Sequence, residues 1–76
     1  MKLIVFEKAN VNDTREPSFT SEKPLRETKR LASRRQVFRD STMVIETESG
    51  TMVAFKKPGE RWTEVDDCNE EGVNYD

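Results

Sequence analysis

The 76-residue sequence has no histidine, one cysteine, one tryptophan and three glycines, and none of its apolar runs exceeds four residues. Without histidine it lacks both the side chain that most often moves protons near neutral pH and the commonest metal ligand. One thiol can build neither a thiolate zinc site nor an internal disulfide. Gly50, Gly59 and Gly72 stand too far apart for a phosphate-cradling loop or a dinucleotide fingerprint, and no nucleophile-elbow, zinc-protease or calcium-loop pattern occurs. The carboxylate pairs Glu46 with Glu48 and Asp66 with Asp67 fall in a strand and a tail, where solvation accounts for them. The reading is therefore of a protein that is not an enzyme and carries no cofactor or metal.

Two further absences bear on location. Apolar runs of four residues fall far short of the roughly 20 that span a bilayer, and the N-terminal stretch has no signal-peptide apolar region, so no membrane partner is expected. A secreted domain this small would normally carry disulfides, so the lone Cys68 points to a reducing compartment, read as the cytoplasm. In "DDCNEEG" the flanking carboxylates disfavour its thiolate, which makes Cys68 an incidental surface thiol rather than a nucleophile.

Charge, by contrast, is abundant and unevenly placed. The chain has 13 basic and 15 acidic side chains, a net charge of -2. Residues 1–61 hold 13 basic and 9 acidic side chains (+4), whereas residues 62–76 hold six acidic and none basic (-6). The overall balance thus hides a basic centre and an acidic tail. Such a tail can fold over the basic segment, weaken its hold on polyanions, or simply keep the protein soluble.

The apolar residues gather in "LIVF" (3–6), "MVIE" (43–46) and "MVAF" (52–55), which favours one small core over a disordered chain. "KLIVFEK" (2–8) reads as a strand with Ile4 and Phe6 on one face and Leu3 and Val5 on the other, hence a central or well-covered strand. Residues 9–24, rich in Asn, Asp, Ser and Thr with two prolines, read as a mobile loop that Phe19 tucks onto the core. A helix is predicted from about Ser21, as N-cap, to Phe38, with Pro24 in its first turn. A helix ending near Arg35, with Val37 and Phe38 beginning an extended segment, is the alternative.

"TMVIETESGTMVAFKK" (42–57) reads as a hairpin. With Glu48, Ser49 and Gly50 as its loop and Gly50 in the left-handed region, Thr47 pairs with Thr51, Ile45 with Val53 and Met43 with Phe55. "KPGER" (57–61) is a turn, and residues 61–65 can add a short antiparallel strand. The expected fold is a small α+β domain over 1–65, an antiparallel sheet of three to four strands with one basic helix, followed by a flexible acidic tail at 66–76.

On that helix, Lys23, Arg26, Arg30 and Arg34 fall within an arc of about 80 degrees, opposite Leu25, Thr28, Leu31, Ala32 and Phe38. Arg35 and Arg39 intrude on the apolar side. Lys23, Arg26, Arg30, Arg34, Arg35 and Arg39, joined by Trp62 if it is exposed, form the expected partner-binding set; Trp62 reads first as a core residue closing one end of the sheet. Arginines pair directionally with carboxylates and stack on aromatics, which suits the acidic surface of a larger intracellular protein that this chain would modulate or inhibit. Two alternatives stand beside that reading. The same stripe can contact nucleic-acid phosphates, or it can be the solvated back of a helix, helped by the Glu22 to Arg26 spacing.

Overall fold

The "LIVF" run becomes the second strand in a five-stranded antiparallel sheet, and its two apolar faces explain that place. The structure is a computed structural model that describes residues 2–10, 13–14 and 16–65; Cys68 and the acidic segment 66–76 lie outside the described residues. The elements are β1 (Leu3–Lys8), β2 (Phe19–Ser21), α1 (Leu25–Arg35), β3 (Thr42–Thr47), β4 (Met52–Lys56) and β5 (Thr63–Glu64). The sheet order is β2-β1-β3-β4-β5, a small α+β fold with one strand more than the sequence suggests.

The extra strand comes from residues 9–24. Phe19–Ser21 pairs with β1, placing Phe19 opposite Val5 and Ser21 opposite Leu3, so the loop expected there is interrupted by an edge strand. The local sequence "FTS" is too short and polar to announce a strand by periodicity; it forms because β1 offers an open edge.

One face of the sheet buries Leu3, Val5, Met43, Ile45 and Ala54 against Ala32 of α1, with Phe19, Leu25, Val53 and Trp62 packed around them. On the other face the register lines up Phe6, Val44 and Phe55 in one cross-strand row. Val44 is buried between the two rings' strands, while Phe6 and Phe55 remain half-buried. Lysine stems cover this row in place of a second layer: the Lys8 ammonium lies 4.8 Å from the Phe6 ring centre and 3.8 Å from Glu46, and Lys57 lies 6.0 Å from Phe55.

The hairpin corrects the expected register at one point. Near the turn the expectation holds: Thr47 N-H donates to the Thr51 carbonyl at 2.9 Å, Gly50 N-H donates to the Thr47 carbonyl at 3.0 Å, and Gly50 has φ +94°. Glu46 then faces Met52, but Ile45 faces Ala54, Val44 faces Phe55 and Met43 faces Lys56. Val53 is thus an extra residue, a β-bulge. The shift moves Ala54 into the core and Phe55 out to the lysine-covered face, the reverse of the uninterrupted pairing. At Gly50 a Cβ would meet nothing within 4 Å, so only the backbone conformation opposes a side chain. Gly50→Ala should therefore cost about 1 kcal/mol in urea unfolding with the m-value unchanged; a neutral effect would show that the turn relaxes freely.

The helix is shorter at both ends than predicted. Ser21 ends β2 instead of capping α1. Its Oγ accepts from Lys23 N-H (3.1 Å) and lies 2.9 Å from Thr28 Oγ1, whose proton goes to the Lys23 carbonyl at 3.1 Å. This hydroxyl pair, with Thr28 fully buried, ties the sheet edge to the first turn, where Pro24 supplies no side-chain cap. At the other end the helix stops at Arg35 because the Glu7 carboxylate takes the next amides. Val37 N-H donates to both of its oxygens at 3.0 Å, and Phe38 N-H donates at 2.7 Å. Those donors would otherwise serve the helical ladder. Phe38, expected among the residues packed on the sheet, is instead 65% exposed.

A basic groove between the helix and the last strand

Three of the expected arginines share one side of α1. Arg26, Arg30 and Arg34 follow at spacings of four, so they stack along the outer surface of the helix. Trp62 approaches that surface from the segment leading into β5. Together with Lys29 and Ser33 they line a shallow groove of about 620 Å³.

Trp62 has two roles here. Part of its ring packs against the core cluster, as the sequence reading prefers, and the rest forms the groove wall. Its Nε1-H donates to Ser33 Oγ at 3.1 Å, which fixes the indole across one end of the arginine row. A half-buried indole with a satisfied N-H presents a flat apolar surface at little entropic cost to a partner.

The charges in the groove differ in how they are balanced. The Lys29 ammonium is paired with the Glu64 carboxylate of β5, which ties helix to strand. Arg26, Arg30 and Arg34 have no ion-pair partner among the described residues. Glu22, spaced to support Arg26 in a longer helix, precedes α1 and makes no such pair among them. The guanidinium row is therefore available to outside anions, whereas Lys2 and Lys8 are committed to Glu48 and Glu46.

The remaining expected contacts lie elsewhere. Lys23 borders a separate apolar depression with Leu3, Pro24, Leu25 and Val53. Arg35 stacks over Phe19, its guanidinium carbon 4.7 Å from the ring centre, and so holds β2 against the helix end. Arg39 is exposed in the turn after the helix. Lys29 and Ser33 were not among the expected contacts. Their signal was weak, since only the docking of residues 62–64 beside α1 shows that the groove opens on that flank.

No family model and no curated protein matches the sequence. Among solved structures, AcrIF9 superposes with a TM-score of 0.76 at 34% identity, covering 87% of this chain and 87% of AcrIF9. The chain belongs to the AcrIF9 family. AcrIF9 is an anti-CRISPR protein, a small protein that binds and inhibits a larger protein or complex. The AcrIF9 likeness extends over most of both chains, so it concerns the whole fold and not an isolated motif. Among the described residues no helix is long and apolar enough to cross a membrane.

Proposed function

We propose that this chain is a stoichiometric inhibitor that docks on an acidic surface of a larger CRISPR protein or complex and blocks its action. The observation carrying this reading is its likeness to AcrIF9, at 34% identity over 87% of both chains. The groove supplies a physical means. Arg26, Arg30 and Arg34 offer planar, permanently charged donors to carboxylates, and Trp62 offers an adjoining apolar surface. Arginine and tryptophan are the residue types that most often dominate binding energy at interfaces. Inhibition by occupancy also needs no catalytic group, in keeping with a chain that has no histidine.

The test is co-elution with the purified CRISPR complex that AcrIF9 inhibits, with and without prior nuclease treatment of both components. A defined stoichiometry that survives nuclease is the expected result. If retention vanishes with nuclease, the arginine row contacts phosphates and the nucleic-acid alternative takes its place; if the chain never co-elutes, the inhibitor reading fails.

A further inference from the structure

The corner after the helix holds an oddity that the groove does not use. Val37 and Phe38 are 72% and 65% exposed, the large hydrophobic side chains that stand out most among the described residues. They are not on a loosely held loop. The buried Glu7 carboxylate accepts Val37 N-H with both oxygens at 3.0 Å, Phe38 N-H at 2.7 Å and the Ser41 hydroxyl at 2.6 Å. Gln36 Nε2 donates to the Phe38 carbonyl at 2.8 Å and the Ser41 Oγ at 3.0 Å, and Ser41 N-H donates to the Phe38 carbonyl at 3.2 Å. The backbone of residues 37–41 is thus held from β1, while the two apolar side chains project outward.

Nothing in this bonding requires those side chains. Glu7 reads only backbone amides, which any residue except proline would supply. Keeping valine and phenylalanine in water forgoes their burial, so their identity is explained by something that covers them. Arg34, Arg35 and Arg39 flank the pair in the chain, against Asp40 as the one acidic neighbour.

We infer that Val37 and Phe38 form a preorganised plug that enters an apolar pocket on the inhibited protein, with carboxylates at the pocket rim meeting the flanking arginines. This inference rests on the reading that the chain docks on a larger protein. Glu7 is a positioning residue: it freezes the corner before binding, so that less conformational freedom is lost on association. The plug lies beyond the C-terminal end of α1 and is distinct from the groove lined by Trp62.

The test measures affinity for the purified CRISPR complex that AcrIF9 inhibits, using the full chain, the double variant Val37→Ser with Phe38→Ser, Glu7→Gln, and the combination of all three substitutions. The plug variant should bind at least about tenfold more weakly, chiefly through faster dissociation, with an unchanged thermal midpoint because both side chains are already exposed. Glu7→Gln should weaken binding in the wild-type background and add little in the plug-variant background, a non-additivity that general destabilisation would not produce. Wild-type affinity in a folded plug variant overturns the inference and leaves the docking reading standing. Failure of the unaltered chain to bind overturns both. A dimer in sedimentation velocity that the plug substitutions dissociate, with affinity for the complex unchanged, overturns the assignment by showing that the plug meets a second copy.

Discussion

Replacing Arg26, Arg30 and Arg34 together by alanine should lower affinity for the inhibited complex by about 100-fold or more, roughly 3 kcal/mol, while the fold survives. Survival follows from their environment. All three are exposed and lack ion-pair partners among the described residues, and alanine is a better helix former than arginine by a small margin. The single variants should differ, because an interface depends unevenly on a few anchors. A phosphate-directed contact would behave otherwise: each arginine would cost a similar amount on any sequence, and each would reduce the slope of log affinity against log salt by roughly 0.9. Isothermal titration of the three single variants and the triple at two salt concentrations separates these outcomes. Wild-type affinity in the triple variant would make the row a solvated surface.

The second large effect concerns stability. Ile45 is fully buried, lies on the central strand β3 and faces Val5 on one side and Ala54 on the other. Ile45→Ala should cost about 2–5 kcal/mol through lost burial and the cavity left behind. A domain of this length has only roughly 4–11 kcal/mol in total, so the variant should lose at least about 10 °C in thermal midpoint and approach the limit of folding. The alanine at position 54 cannot fill the space, and the neighbouring Val5 and Met43 are themselves held by the sheet. Urea unfolding followed by tryptophan fluorescence reads the change directly, with Trp62 packed against the same cluster. A loss below about 1 kcal/mol would mean that the core collapses around the gap.

Much of the sheet was legible because strand-forming residues occur in short, well-separated runs. The two apolar faces of residues 3–6 indicate a covered strand, and "ESG" indicates the loop of the hairpin. Three features were not legible, each for a physical reason. The edge strand Phe19–Ser21 draws its stability from β1 and has no periodicity of its own. The bulge at Val53 leaves no composition signal, since valine suits a regular strand equally well, yet it exchanges the faces of Ala54 and Phe55. The end of the helix is set by Glu7, about thirty residues away in sequence; helical periodicity continues plausibly to Phe38, and only the tertiary contact stops it. For the site, the spacing of Arg26, Arg30 and Arg34 was visible in the helix period. The grouping with Trp62, Lys29 and Ser33 depends on how β5 passes the helix, which local sequence does not encode.

The strand order also sets a timetable for the chain during its synthesis. β1 is made first and can acquire β2 once residue 21 is free, but its other neighbour is β3, paired from Lys8 with Thr42 to Leu3 with Thr47. At cellular elongation rates, the 39 positions between Lys8 and Thr47 take roughly 2–8 s to add. Throughout that interval one long edge of β1, with Ile4 and Phe6 beside it, has no partner in its own chain. The nascent protein therefore depends on its surroundings to keep that edge unoccupied. Its yield in the cell should respond to translation speed and chaperone supply more sharply than the finished domain's equilibrium stability would suggest.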